Sequence, residues 1–209
     1  MYLSRILLDT DLRNTKRALA SPQRMHAIVA TCFDKETIVQ RPLWRIDTLH
    51  GSTYLLLVSG TKPDFSSMIE QLASPDSREA ITKNYDPFLD SIDVNDIYRF
   101  RLCANPVHSV ARESGESTRG KVYGHVTVEQ QKEWLENRAK KYGFKIMSFD
   151  VTSRSVRRFK RQDQTVTLAV ASYEGLLQVV DSDLLRKALV EGIGRAKAYG
   201  CGLLTLAKQ

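Results

Sequence analysis

The sequence predicts an α+β protein made of two tandem ferredoxin-like domains, each with the element order β-α-β-β-α-β. Apolar residues alternate as in strands and then recur as on helices, in the same order in each half of the chain. Capping and turn residues bound these segments. The 209 residues suit two units of roughly 100 residues. We expect the first domain to span residues 1–93 and the second residues 94–209.

The first half of the chain carries the elements of one predicted domain. Asn14 can cap a short helical turn, and Ser21-Pro22 begins the next helix with an N-cap and a proline at the first helical position. His50-Gly51 is a turn between two β-rich segments, which predicts a hairpin. The predicted segments are strand 2–9, helical turn 14–20, helix 21–33, strands 43–48 and 53–59, helix 66–72, and a polar loop 73–84 in which the last strand is weakly marked.

The second half repeats this order. Thr127 and Gln130 form a capping box and Gly143 a C-terminal stop, so the clearest helix of the chain lies between them. A long hairpin turns near Gln162-Asp163. The predicted segments are strand 96–104, ended by Asn105-Pro106, a polar and mobile loop 112–125, helix 127–142, strand 144–151, hairpin 153–173, a helix from Asp181 or Ser182 to Gly192, and strand 201–207.

Composition narrows the class of protein. Hydrophobic residues make up 42% and charged residues 26% of the chain, as in globular proteins. The sequence has neither a run of about 18 apolar residues nor a signal peptide, so we expect a soluble, cytoplasmic protein. Cys32, Cys103 and Cys201 form no C-x-x-C pair, and we expect them to be ordinary packed residues.

The charge is distributed unevenly. The net charge of +7 comes from residues 1–95 at −1 and residues 96–209 at +8. Solubility alone does not require this asymmetry, whereas a surface that binds a polyanion does.

The strongest basic feature is the segment from Arg154 to Arg161, which we call the basic arm. Because strand residues alternate faces, both faces of the arm should carry charge, and we expect that a protein core cannot cover it. One interpretation is a solvated edge that prevents aggregation. The interpretation that we favour is a prong along RNA phosphates or in an RNA groove. Its cations are Arg154, Arg157, Arg158, Lys160 and Arg161, with Phe159 among them.

A second feature is the glycine-rich segment Gly192–Gly202. Glycines let backbone N–H groups approach phosphates, so Gly194, Arg195 and Lys197 are candidate RNA contacts. The segment has no G-K-[ST] and no strand leads into it, which argues against a Walker loop and a dinucleotide fingerprint. The alternative is that Gly192 ends a helix and the other glycines serve packing. Spacing alone does not decide between the two.

Histidines are few, and none of the four has metal-ligand spacing to another His, Cys or acidic residue. We therefore expect no metal and no cofactor. His26 lies in the first turns of a helix beside Gln23 and Arg24, and the pattern alone leaves its role open. We expect the other three, His50, His108 and His125, to be ordinary residues.

Five blocks of the chain form a recognisable set, and the last is the most specific. They are Tyr2-Leu3-Ser4-Arg5, Ser21-Pro22-Gln23-Arg24-Met25-His26, Phe100-Arg101-Leu102-Cys103-Ala104-Asn105-Pro106, Tyr173-Glu174-Gly175-Leu176-Leu177, and Gly192–Gly202 running into Leu203-Leu204-Thr205-Leu206-Ala207. With these blocks the chain resembles the CasE-type CRISPR RNA endonucleases, the repeat-cutting subunits of type I-E Cascade complexes.

The resemblance implies two ferredoxin-like (RRM-like) domains, a stem-loop repeat RNA as substrate, and cleavage at the 3′ base of the stem. It also implies that the product is retained with other Cascade subunits; we expect no membrane partner and a monomer when the protein is isolated. His26 falls on the family's catalytic histidine, and Arg24 joins the expected RNA contacts. Gln23 stands where some relatives have tyrosine, and Cys103 where the family often has arginine.

A reaction of this kind needs no metal if the RNA supplies its own 2′-hydroxyl as nucleophile. A histidine with a pKa near 6.5 can serve as general acid or base at neutral pH, and cations can stabilise the developing charge. The expected products are a 2′,3′-cyclic phosphate and a 5′-hydroxyl. Two alternatives remain: a non-catalytic RNA-binding subunit of a ribonucleoprotein, and a basic assembly protein with an acidic partner.

Overall fold

The computed structural model describes residues 1–34, 36, 40–73, 80–110, 121–162 and 164–208. It contains two four-stranded antiparallel sheets with helices packed on them, which confirms the predicted fold class. Within the described ranges, no helix is long and apolar enough to cross a membrane.

The first sheet has the strand order β2-β3-β1-β4, as in a ferredoxin-like domain. One face of this sheet packs on the helices, with Ile6, Leu55 and Leu57 buried against Met25 of α2 and Met68 of α3. The elements are β1 (Tyr2–Leu8), α1 (Arg13–Leu19), α2 (Pro22–Ala30), β2 (Leu43–Leu49), β3 (Ser52–Ser59), α3 (Ser66–Leu72) and β4 (Ala80–Asn84).

Local signals predicted some of these bounds and missed others. Ser21 is the N-cap of α2, and its Oγ accepts a hydrogen bond from the Arg24 backbone N–H at 3.4 Å. The N-cap of α1 is Leu12, so the expected capping by Asn14 is wrong. The end of the polar loop, residues 80–84, is strand β4. It pairs with β1, and Ser4 Oγ lies 3.0 Å from Thr82 Oγ1.

A short helix, α4 (Asp86–Asp90), leads into the second sheet, which has the equivalent order β10-β5-β9-β8. The capping box of Thr127 and Gln130 begins α5, and Gly143 follows it in the left-handed region. The elements are β5 (Ile97–Ala104), β6 (Val107–Val110), β7 (Lys121–Gly124), α5 (Val128–Ala139), β8 (Phe144–Arg161), β9 (Gln164–Val179), α6 (Ser182–Glu191) and β10 (Leu204–Lys208).

Two expectations for this half need correction. Residues 121–124, assigned to a mobile loop, form β7 and pair with β6; residues 112–120 of that predicted loop lie outside the described residues. Residues 144–161, expected as two elements, form the single strand β8. Two register shifts in its pairing with β9, at Ile146/Ser148 and Val151/Ser153, keep the strand paired. The predicted turn residue Asp163 also lies outside the described residues.

Where the two sheets meet, a buried charged cluster joins them. Arg45 of β2 is 3% exposed and donates to both carboxylate oxygens of Asp47, at 2.8 and 2.7 Å. It also donates to the carbonyl oxygens of Arg101 and Leu203, at 2.9 Å each, and to Thr205 Oγ1 at 2.9 Å. The guanidinium of a first-sheet residue thus satisfies backbone acceptors of the second sheet.

The sheets also share one apolar core. Leu43 and Val58 of the first sheet are buried in the same cluster as Phe100 and Leu102 of β5. The strands of the first sheet lie within residues 2–84 and those of the second within residues 97–208. The domain boundary between residues 93 and 94 stays a prediction.

Candidate active site

His26 lies on the second turn of α2, the helix through which the first domain contacts the second. Its helix buries Pro22, Met25 and Val29 and leaves the imidazole half-buried. α2 contacts both β8 and the 3-10 turn Lys197–Tyr199 of the glycine-rich segment. The His26 and Tyr199 rings meet edge to face, with centroids 6.1 Å apart. Elements that are distant in sequence therefore surround one imidazole that keeps access to solvent.

The electrostatic environment of His26 is positive. The pKa of His26 lies below its ordinary value of 6.5, first because burial disfavours the charged imidazolium and then because Arg41 and Arg161 are nearby. The neutral imidazole consequently predominates at pH 7. In this form one ring nitrogen can accept a proton, as a general base must.

Removing either arginine should raise the pKa of His26 towards 6.5, since a positive charge that disfavours imidazolium is lost. We expect Arg41→Gln to have the larger effect and Arg161→Gln the smaller, in an NMR titration of the His26 Cε1 proton. Arg24→Gln is the matched control, because Arg24 is exposed on the same helix. An unchanged pKa in both test variants would contradict this electrostatic account.

The glycine-rich segment forms a loop with several left-handed residues. Gly192 ends α6, and its N–H donates to the Ala188 carbonyl at 2.9 Å. This agrees with the interpretation in which Gly192 ends a helix. Gly194 and Gly200 have φ values of +83° and +80°, and Ala196 shares this region at 61°. A Cβ on Gly200 would lie 2.8 Å from the Trp44 ring. Glycine at 200 therefore allows the loop to pack closely on the first domain.

The two cations of this loop have different surroundings. Arg195 is exposed. Lys197 is half-buried, and its pKa is lowered chiefly by burial; Glu191 opposes this shift and Arg41 adds to it. Because Arg41 influences both His26 and Lys197, the three side chains belong to one electropositive region.

The basic arm is the paired end of β8 and β9. Arg154, Arg158, Lys160 and Arg161 are exposed, whereas Arg157 and Phe159 are half-buried. The expectation that protein cannot cover the arm is wrong for one face. The cross-strand partners of Arg157 and Phe159, Leu168 and Val166, belong to an apolar cluster with Cys103 and Cys201, and the Phe159 ring lies 4.7 Å from Tyr199.

The structure thus groups some candidate residues and separates others. His26 lies near Tyr199, Arg41 and Arg161, and Arg41 also lies near Lys197. Arg24 is exposed on α2. Arg154 is held at the root of the arm, where its Nη1 donates to the Val126 carbonyl at 3.3 Å. Arg158 and Lys160 pair with Thr167 and Thr165, on the face opposite Arg157 and Phe159.

Sequence reasoning missed Arg41 and the contact of Tyr199. Arg41 is an isolated cation before Pro42, with no local pattern that relates it to His26. Tyr199 stands inside the glycine-rich segment, and its aromatic ring was the only available signal. The three cysteines are buried free thiols, as expected. Among the residues that the structure describes, no three His, Cys, Asp or Glu side chains are grouped to hold a metal ion.

The fold and the site together define a tandem ferredoxin-like protein with a half-buried histidine among cations, where α2 contacts the second sheet's strand β8 and the glycine-rich segment. The chain belongs to the family of CRISPR associated proteins, whose model matches residues 1–208.

Individual relatives agree with this assignment. The CRISPR-associated endoribonuclease Cse3 of Thermus thermophilus is 28% identical and covers 99% of this chain and 100% of its own. A structure of CRISPR endoribonuclease Cse3 bound to 19 nt RNA is 25% identical, with a TM-score of 0.83 over 99% of this chain and 100% of that one. Cas6e of Escherichia coli K-12 shares the fold, with 22% identity and a TM-score of 0.70 over 100% of both chains. The resemblance to CasE-type proteins is confirmed.

Proposed function

We propose that this protein is a metal-independent endoribonuclease that cuts CRISPR precursor RNA at the 3′ base of the repeat stem-loop. The observation that carries the proposal is His26: a half-buried imidazole with a lowered pKa, set among cations contributed by both domains. The relatives named as endoribonucleases, one of them in complex with RNA, support the same reaction class.

The proposed mechanism uses the RNA 2′-hydroxyl as nucleophile. The neutral imidazole of His26 takes the proton of this hydroxyl or, once protonated, gives one to the leaving 5′-oxygen. The 2′-oxygen attacks the adjacent phosphorus and the bond from phosphorus to the 5′-oxygen breaks. The leaving 5′-oxygen takes up one proton, from His26 or from water, and a 2′,3′-cyclic phosphate and a 5′-hydroxyl result. Arg41, Arg161 and Lys197 are the cations placed to offset the charge that develops on the phosphate.

The same surface suits retention of the product. The arm and the glycine-rich loop offer positive charge near His26, through Arg161 and Lys197, and this charge remains after the bond breaks. Chains with this fold occur in a CRISPR RNA-guided surveillance complex. We infer that the cleaved RNA stays bound and carries the protein into such a complex with the other Cascade subunits.

Incubation of repeat RNA with the protein in EDTA tests the chemistry. We expect the rate of cutting to stay within about twofold of the rate with Mg²⁺, since His26 and the cations supply the functions of a metal. The upstream fragment should end in a 2′,3′-cyclic phosphate by mass spectrometry. Loss of cutting in EDTA, or a linear phosphate as the first product, would contradict the mechanism.

The arm offers a test of RNA binding. Arg157 and Arg158 lie on opposite faces. The Arg157→Gln/Arg158→Gln protein should bind repeat RNA more weakly, with a salt slope reduced by about 0.9 for each RNA phosphate that the arm no longer neutralises. The single variants show which face bears on the RNA. Lys140→Gln/Lys141→Gln removes the same charge from the 3-10 turn that follows α5 and is the control. Unchanged affinity in the arm variant would leave the arm as a protected sheet edge.

A non-catalytic RNA-binding subunit is the second candidate function. Gln23 favours it, since glutamine does not exchange protons near neutral pH. Its Oε1 is buried and finds no hydrogen-bond partner in the described part of the chain. This alternative predicts tight binding with no cutting under single-turnover conditions.

A further inference from the structure

We propose that a pocket between the β6-β7 hairpin and α5 binds one unpaired nucleobase of the RNA strand that leaves the glycine-rich loop. This inference rests on the proposed function and adds a second binding site to it. The pocket has a volume of about 360 Å³, which lies within the range of small-molecule sites. His108, His125, Glu133, Trp134 and Arg138 are among its lining residues.

Three aromatic rings form a continuous series, and two of them, His108 and His125, line the pocket. The His108 and His125 ring centroids are 4.8 Å apart, and those of His108 and Tyr123 are 6.0 Å apart with an angle of 30° between the planes. His108 is exposed, and Tyr123 is 48% exposed. Exposed rings of this kind are the platforms on which proteins stack the bases of single-stranded RNA.

Two residues that line the pocket, His125 and Trp134, have buried polar atoms that lack a hydrogen-bond partner among the described residues. Trp134 is 3% exposed, yet its Nε1 has no hydrogen-bond partner among the described residues. The same holds, within the described ranges, for the buried Nδ1 of His125. Buried polar groups are nearly always satisfied, so a ligand that offers hydrogen-bonding atoms at its edge suits a pocket lined by these two residues. A nucleobase has ring nitrogens and carbonyl oxygens there.

The charges of the pocket favour a base over a phosphate. The pKa of His125 is lowered by burial first and then by His108 and Arg138, so its ring is neutral at pH 7. Glu133 also lines the pocket and would repel a phosphate. The Arg138 guanidinium lies 4.4 Å from the Trp134 ring centroid, and its Nη1 donates to the Trp134 carbonyl at 3.0 Å. Arg138 is therefore committed to holding the indole.

The pocket is one side chain away from the glycine-rich loop. A Cβ on Gly194 would lie 3.1 Å from the Trp134 ring, so the indole separates the loop from the pocket. Arg195, the next loop residue, forms a β-bridge with Asn105, and the His125 N–H donates to the Pro106 carbonyl at 2.9 Å. An RNA strand that leaves the loop thus reaches the pocket without crossing a protein domain.

Binding of three RNAs tests the proposal: the bare repeat stem-loop, and the stem-loop with a short single-stranded extension at its 5′ or its 3′ end. All proteins carry His26→Ala, so that the RNA is not consumed. We expect one of the two extensions to increase the affinity of the protein for the RNA. The His108→Ala/Tyr123→Ala protein should bind this extended RNA about tenfold more weakly, a difference of about 1.4 kcal/mol. Affinity for the bare stem-loop should be unchanged. His50→Ala, which removes an exposed turn histidine, is the matched control.

The site itself can be located by crosslinking. A 4-thiouridine in the extension that increases affinity should crosslink under ultraviolet light to β6, β7 or α5, as mapped by mass spectrometry. If neither extension increases affinity, or if the crosslinks map only to the arm, the pocket proposal is wrong and the proposed function stands. If the bare stem-loop does not bind, the proposed function itself fails.

Discussion

The His26→Ala protein should cut repeat RNA about 10²–10⁴-fold more slowly than the wild type in single-turnover assays. This range is the usual contribution of one positioned general acid or base. The residual rate would come from cations that hold the phosphate and stabilise its developing charge. Because His26 is neutral in the free protein, its loss should leave the affinity for RNA within about threefold of the wild type, and a filter-binding titration measures this.

The matched control for this experiment is His50→Ala. His50 is exposed in the turn between β2 and β3, and the variant should cut at the rate of the wild type. Cleavage at the wild-type rate by the His26→Ala protein would show that the reaction uses another group. A loss of binding together with cutting would instead make His26 a structural residue of the site.

Replacement of Arg45 by methionine should lower the free energy of unfolding by about 3–5 kcal/mol, as is usual when one partner of a buried ion pair is removed. After this change the buried Asp47 keeps only the more distant ion pair with Arg101, whose Nε lies 3.5 Å from Asp47 Oδ1, among the described residues. It also takes the donor from the carbonyls of Arg101 and Leu203. Urea unfolding followed by circular dichroism measures the change.

Two further variants separate the ion pair from general effects of the substitution. Arg99→Met removes an exposed arginine from β5 and should change the stability by less than about 0.5 kcal/mol. The double variant Arg45→Met/Asp47→Leu removes both charges and should recover part of the loss, because no buried carboxylate is left unpaired. A single variant as stable as the wild type would show that the charged cluster does not hold the domains together.

The elements that the sequence predicted best are those with local causes. Ser21 caps α2 and the Thr127–Gln130 box begins α5, since each signal involves residues within one helical turn. Strand β4 was only weakly marked and β7 was assigned to a loop, because both strands are defined by pairing. Each is short, and each becomes a strand only where β1 or β6 offers a backbone partner. Such pairing is not visible in a single segment.

The candidate site was predicted unevenly for a similar reason. The pattern around His26 left its role open, and it became a candidate through family resemblance. Arg41 is 15 residues away in sequence and acts on His26 through space, so no spacing rule identifies it. The arm was recognised by its charge, but its covered face was not. The apolar partners Val166 and Leu168 lie on the return strand, where they pack against cysteines from β5 and the glycine-rich segment.

The length of β8 has a mechanical consequence. One strand of 18 residues begins in the apolar core beside α5 and ends at the tip of the arm. The arm is therefore anchored in the hydrophobic interior and is set in position before any nucleic acid arrives. When the arm binds a partner, few of its own backbone torsions need to be ordered, so the arm loses little conformational entropy on association. Any force applied at the tip is carried along the strand into the sheet of the second domain.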